Sequence, residues 1–264
     1  MEPSLGLELI ERDAWADMYA AAPAAVRSEL GIQHRSVDSG ILLACRGIDH
    51  IQFNRLAAFG LSHPPNPEGF DTAIGEFAQV GLKNWIVHVP PEAAMLRDLC
   101  IARGLQPHSR SWAKFHRGPS PVIAQTQLSI REARRDEADQ FGNVAAQAFG
   151  LPAIVGRWLA ALVGRPQWHC FLAFDGQVSA AAGALFTDGA SAWLGIGGTL
   201  PAQRRSGAQS ALLAARIQKA AELGCTRLTT ETGVPHPGEK GPSYDNIRRA
   251  GFETAYVRAN YTRS

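Results

Sequence analysis

The stretch Gly198-Thr199-Leu200-Pro201-Ala202-Gln203-Arg204-Arg205-Ser206-Gly207-Ala208-Gln209-Ser210-Ala211-Leu212-Leu213 decides how this chain folds. An apolar strand, Ala192-Trp193-Leu194-Gly195-Ile196, runs into it, and a helix from about Ala208 to Leu223, stopped at Gly224, leaves it. The first amides of a helix have no partner within it and point outward, and the helix dipole adds partial positive charge at the same end. A strand-to-helix turn made of small and basic residues is therefore an anion site. Gly207 lets a phosphate approach the backbone, Arg204 and Arg205 add charge, and Leu212, Leu213 and Ile217 hold the helix against a sheet.

Downstream, Arg227 to Thr230 reads as a strand, Tyr244 to Ala250 as a short helix stopped by Gly251, and Phe252 to Tyr261 as a strand that closes the sheet. Upstream, Leu128 to Ala133 is a strand, and Arg135 to Phe149 and Ala153 to Leu162 are helices. Cys170 to Phe174 and Gln177 to Phe186 are strands joined by the hairpin signal Asp175-Gly176, and Asp188-Gly189 leads on to the strand that enters the turn. Strands and helices alternating in this way predict an α/β protein with a mixed sheet.

The turn resembles the acyl-CoA loop of the GNAT acyltransferase superfamily, R/Q-x-x-G-x-G/A. Arg204 stands at the first basic position and Gly207 at the first glycine. Gln209 stands last, where glycine or alanine is usual, and makes the helix entry bulkier. A register one residue earlier places Gln203, Ser206 and Ala208 at those positions; Pro201, Gly207 and the run from Ser210 to Leu213 favour the first. The ending Arg249-Ala250-Gly251-Phe252 also resembles the superfamily's basic-x-Gly-Phe, so the resemblance spans the whole second half. It implies acetyl-CoA as acyl donor, with phosphates held by Arg204, Arg205, Ser206, Gly207, Ala208, Gln209 and Ser210. It further implies a fourth strand splayed from the fifth, where the pantetheine arm pairs with amides at Ile196, Gly197, Gly198 and Thr199. Asn246 is a candidate to bond the same arm.

Acyl transfer to an amine needs a neutral nucleophile, a place for its proton, stabilisation of the oxyanion and a proton for the leaving thiolate. In the superfamily a Tyr four residues before the Gly of Gly-Phe often supplies the last; here Ile247 stands there. Tyr244, one helical turn earlier, is the substitute candidate, against packing at a helix start. Glu231, at the end of the fifth strand, is the candidate base, against a solvated strand end or a salt bridge. His169 is a weaker base candidate, His236 sits in a loop beside the expected acceptor mouth, and Ser243 reads as the N-cap of the short helix. The reading is an N-acetyltransferase acting on a small amine or amino acid. Ile247 keeps open a second one, a non-catalytic acyl-CoA-binding or sensing module. A kinase or dehydrogenase is disfavoured, since neither G-x-x-x-x-G-K-[ST] nor G-x-G-x-x-G lies at a strand–helix junction.

Before the second half, Arg117-Gly118-Pro119-Ser120-Pro121 breaks regular structure and reads as a linker. Ahead of it lie expected strands at Ile41 to Cys45, Gln52 to Leu56, Trp85 to Val89 and Ser111 to Phe115, and helices at Asp71 to Val80 and Ala93 to Arg103. The helix–Gly–strand at Leu99 to Leu105 matches that at Ile247 to Phe252. The expectation is two domains, residues 1–120 and 126–264, the first a shortened or degenerate GNAT-like copy. His63-Pro64-Pro65-Asn66-Pro67 stands where its phosphate turn would be, and its prolines lack amides, so CoA is expected in the second half alone.

Composition bounds the rest. Of 264 residues 45% are hydrophobic and 19% charged, which suits a compact globule. A net charge of +2 is too small for a nucleic-acid partner. Residues 1–125 hold 11 Lys and Arg against 13 Asp and Glu, and residues 126–264 hold 15 against 11, so the positive balance lies with the expected phosphates. Cys45, Cys100, Cys170 and Cys225 stand apart among apolar neighbours, with no close Cys/His cluster, and read as buried thiols in a reducing compartment; no metal is expected. No signal peptide or membrane span is visible, and the expected location is cytoplasmic.

Overall fold

A computed structural model describes residues 3–263. The first half comprises α1 (Pro3–Ala20), α2 (Ala24–Leu30), β1 (Ile32–Val37), β2 (Gly40–Cys45), β3 (Arg55–Ala57), α3 (Pro67–Gln79), β4 (Ile86–Val89), α4 (Ala94–Ala102), β5 (Gln106–Pro107) and β6 (Trp112–Arg117). The second comprises β7 (Ser129–Glu132), α5 (Ala138–Ala148), α6 (Ala153–Ala160), β8 (Trp168–Asp175), β9 (Val178–Asp188), β10 (Ser191–Thr199), α7 (Ala208–Glu222), β11 (Arg227–Gly233), α8 (Pro242–Arg249) and β12 (Glu253–Thr262).

All strands join one mixed sheet in the order β1-β2-β3-β4-β12-β6-β11-β10-β9-β8-β7, with β5 beside β12. This order has an internal symmetry. β1-β2-β3-β4 followed by β12 answers β8-β9-β10-β11 followed by β6. A helix follows the third strand of each set (α3, α7) and another follows the fourth (α4, α8). Both fourth-strand helices end at a left-handed glycine, Gly104 at φ 74° and Gly251 at φ 78°. The first half thus repeats the element order of the second in shortened form, without a counterpart of β7.

The symmetry includes an exchange that the sequence reading did not foresee. β12 does not close an edge of the sheet; it lies in the middle, paired with β4 and β5 of the first half as well as with β6. β6 in turn fills the place beside β11, with Thr230 opposite Phe115 and Glu231 opposite Lys114. Each half ends in a strand that completes the other.

Local chemistry explains most boundaries. α3 starts at Pro67 rather than Asp71, because Asn66 Oδ1 accepts from the Glu68 amide at 3.1 Å and Pro67 sits where its missing N–H costs nothing. Residues 51–54 form a turn and not the start of a strand: the Phe53 amide donates to His50 O at 2.9 Å, and pairing begins at Arg55. All four cysteines are buried and free. Among the described residues no helix is long and apolar enough to cross a membrane.

α1 joins the halves. Trp15 meets Trp193 of β10 edge-on at 6.1 Å, and Met18 O accepts from Trp158 Nε1 of α6 at 2.7 Å. On the same helix Glu8 and Glu11 are buried. Both carboxylates bond Arg258 of β12, at 2.6 and 2.8 Å, and Glu11 also bonds Lys114 of β6 and faces Arg55 of β3 at 3.6 Å. Burial alone would raise the Glu11 pKa, but Arg258 and Lys114 outweigh it and hold the carboxyl well below its usual range.

Candidate functional site

β10 and β11 pair only over Ser191–Trp193 against Arg227–Thr229. Beyond that they part. β10 bulges between Gly195 and Gly198, with Ile196 held at φ 54°, a conformation a β-branched residue adopts only under constraint. Thr230 Oγ1 spans the fork by donating to Leu194 O at 2.7 Å. The parting opens a cleft of about 630 Å³ lined by residues of β10, β11, α6, α7 and α8 from the second half and of α1, the 48–55 segment, Arg110 and Trp112 from the first.

Of the four expected strand residues, Ile196 and Gly197 line this cleft. Gly198 and Thr199 have rejoined the ladder opposite Ala182 and Ala181 and are not among its lining residues.

The loop after β10 reaches α7 through a short turn at Pro201–Gln203 and the exposed pair Arg204 and Arg205. Gly207 precedes the helix at φ 82°, and no side chain caps the helix start. The first bond into the helix comes from the Ala211 amide to Gly207 O at 3.0 Å, so the amides of Ala208, Gln209 and Ser210 precede the helical ladder. The linker braces this loop: Thr126 Oγ1 donates to Ser206 O at 3.0 Å, and Ser206 Oγ donates to Gln203 O at 2.7 Å. A Cβ at Gly207 would come within 2.9 Å of Gln125 O, so its side-chain position faces the linker. The bulk of Gln209 turns into the cleft, where its Oε1 would lie 3.3 Å from a Cβ placed on Gly197.

α8 supplies Ser243, Asn246 and Ile247 to the cleft. Ser243 is not the N-cap, which is Gly241 with Pro242 after it; the hydroxyl is free of that duty. Asn246 Oδ1 accepts from Arg249 Nη2 at 2.5 Å. Tyr244 is not among the cleft residues. Its ring packs edge-on against Phe115, and its hydroxyl lies 3.4 Å from Thr254 Oγ1 on β12. One turn of helix placed it on the packed face. His169 pairs with Glu132 at 2.8 Å on the far strands, and His236 is exposed in its loop outside the cleft lining.

Glu231 does line the cleft. Its Oε2 accepts from Trp193 Nε1 at 2.9 Å and lies 3.4 Å from Lys114 Nζ. Burial raises the pKa of this carboxyl, and the Glu11 charge raises it further, against the opposing pull of Lys114 and Arg258. A carboxylate pushed toward neutrality is a better proton acceptor than an ordinary one.

Several residues of the site were not foreseen from sequence. Trp193 and Lys114 hold Glu231, and His50, Arg55, Arg110 and Trp112 of the first half line the same cleft. Arg216 of α7 carries no role in the sequence reading. Its spacing four after Leu212 and three after Leu213 put it on the buried face, and that signal was available.

No protein-family model matches the chain, and no curated protein matches it in sequence. Solved structures do match in fold. A GCN5-related N-acetyltransferase from Kribbella flavida aligns over 96% of this chain and 94% of its own, with a TM-score of 0.63 and 17% identity. A tandem GNAT protein from the clavulanic acid biosynthesis pathway aligns over 98% and 93%, at 0.60 and 14%. A GNAT-family acetyltransferase from Colwellia psychrerythraea aligns over 98% and 97%, at 0.57 and 15%. This chain therefore has the GNAT fold, and the likeness runs through both halves.

Proposed function

On that fold, we propose that the protein is an N-acyltransferase that moves an acetyl group from acetyl-CoA to the amine of a small molecule or amino acid, with one CoA site, in the second half (residues 126–264). The observation that carries this reading is the fork of β10 from β11 at a bulge, immediately before a helix whose first amides are uncapped. The residues fit an acyl-CoA. The amides of Ala208, Gln209 and Ser210 with Arg204 and Arg205 suit a pyrophosphate, and the backbone at Ile196 and Gly197 is free of β11 and lines the cleft. The first half, residues 1–120, offers no such turn and serves as the acceptor wall.

In the transfer the amine nitrogen attacks the thioester carbonyl. The C–N bond forms, the C–S bond breaks, and CoA leaves as its thiolate. Glu231 takes the proton the amine loses, directly or through one water. Backbone amides at the bulge stabilise the oxyanion, because they are fixed before the charge develops. With Tyr244 turned to Thr254, water supplies the proton that the thiolate takes up.

Ile247 in the cleft, where a tyrosine is usual, favours a second reading, an acyl-CoA-binding module without turnover. Calorimetry with acetyl-CoA, followed by thiol release assays across a panel of amines and amino acids, separates the two. One site per chain and amine-dependent thiol release are expected. Binding without release under every amine supports the module, and no binding overturns both.

A further inference from the structure

Arg216 is 2% exposed, and among the described residues no carboxylate lies within ion-pair distance of it. Its guanidinium is held by backbone carbonyls alone. Nε donates to Leu212 O at 2.9 Å, and Nη1 donates to Ala184 O at 3.2 Å and Gly195 O at 3.0 Å. Ala184 and Gly195 face each other across β9 and β10 at the last regular pair before the bulge. The charge thus sits at the bend that opens the cleft, and Arg216 is one of the cleft's lining residues. Nη2 bonds none of these carbonyls, and it would lie 3.3 Å from a Cβ on Gly197, beside the bulge backbone.

A buried cation without an anion is costly, and carbonyl dipoles offset only part of that cost. Every other cation buried to this degree here, Arg55, Lys114 and Arg258, faces Glu11. Burial pushes the Arg216 pKa down to about 10, which leaves the side chain charged at neutral pH. Nη2, with two N–H donors, is the arm of this planar fork that makes no hydrogen bond within the described residues, on a side chain that lines the cleft.

We infer that Arg216 selects the acyl donor: the cleft takes an acyl-CoA whose short acyl chain ends in a carboxylate, such as malonyl- or succinyl-CoA, and this carboxylate pairs with Nη2. This rests on the acyl-CoA reading of the cleft and replaces the acetyl group proposed above with a charged acyl group on the same CoA carrier. A purely structural arginine would be served by the three carbonyl bonds and would be indifferent to the charge of the acyl group.

The test is competition calorimetry on the full chain with CoA, acetyl-CoA, butyryl-CoA, malonyl-CoA and succinyl-CoA, which needs no knowledge of the acceptor. A charge-assisted pair predicts that malonyl- or succinyl-CoA binds at least about tenfold more tightly than butyryl-CoA, its neutral counterpart in size. In Arg216→Met this preference disappears while affinity for CoA itself stays within about threefold, and Arg216→Lys restores part of it. Equal affinity of the unaltered protein for the charged and neutral thioesters overturns the inference whether or not the variants fold. Failure of CoA and every thioester to bind overturns the acyl-CoA reading itself.

Discussion

Glu231 shows how a single carboxyl acquires its chemistry from neighbours far along the chain. Trp193 donates to it, Lys114 lies within ion-pair reach, and burial, with the Glu11 charge added, pushes its pKa up. Glu231→Gln is expected to lower acyl transfer by about 10²–10⁴-fold and to leave acetyl-CoA affinity unchanged, measured by thiol release and calorimetry on one preparation. Because the base works ionised, the unaltered protein loses activity as pH falls through a value above the ordinary glutamate range. Glu11→Gln removes the negative charge that raises this value, so the acid limb of the pH–rate profile moves to lower pH. An unmoved limb would take Glu231 out of the mechanism. Tyr244→Phe is expected to keep near-full turnover, since the hydroxyl meets Thr254 rather than the cleft. A loss of turnover with intact folding would return that residue to the chemistry. The sequence marked Glu231 because it ends a strand entering the cleft. It gave no sign of Trp193 or Lys114 as partners, for those contacts span 38 and 117 residues.

At the scale of elements, the loop into α7 was legible because its chemistry is local: strand, small and basic residues, helix. What it leans on was not. Gly207 is required by its positive φ and by the linker carbonyl at Gln125, in addition to any bound phosphate. A Gly207→Ala change is therefore expected to destabilise the fold by about 1–3 kcal/mol in urea denaturation, even without ligand. Arg204→Glu with Arg205→Glu is the cleaner probe of the phosphates, because both side chains are exposed. CoA binding should weaken about tenfold or more at low salt, and the difference should shrink as salt screens it. Equal affinities at low salt would remove the arginines from the site. α1 escaped the sequence reading for a related reason. Its buried face carries Glu8 and Glu11, so the apolar stripe that announces a core helix is interrupted by carboxylates whose partners lie at the other end of the chain.

At the scale of the molecule, element order pointed to a mixed-sheet fold, and the helix–Gly–strand ends at Gly104 and Gly251 suggested a repeat within it. The exchange of β6 and β12 lay beyond that, because a strand's sequence records that it pairs and not with whom. We propose that residues 1–120 and 126–264 are copies of one unit that no longer fold apart. The 126–264 segment alone lacks β6 between β11 and β12, and it lacks Glu8 and Glu11 opposite Arg258. It is expected to show no cooperative thermal transition and to regain one on mixing with residues 1–125. A cooperative 126–264 segment would refute this. Within the whole chain, Glu11→Ala leaves Lys114, Arg55 and Arg258 without their shared carboxylate and should cost about 3–5 kcal/mol, read as a lower urea midpoint.

The central position of β12 also has a consequence for synthesis. It is made after both of the strands it lies between, β4 and β6. Until β12 has been made, β4 and β6 each hold an open edge toward the missing strand, at the sheet's centre instead of its rim. The first half therefore cannot finish folding while the second is being made, and the nascent chain stays competent to pair with strangers until β12 arrives. A chain cut before β12 would lose the middle of its sheet rather than an edge.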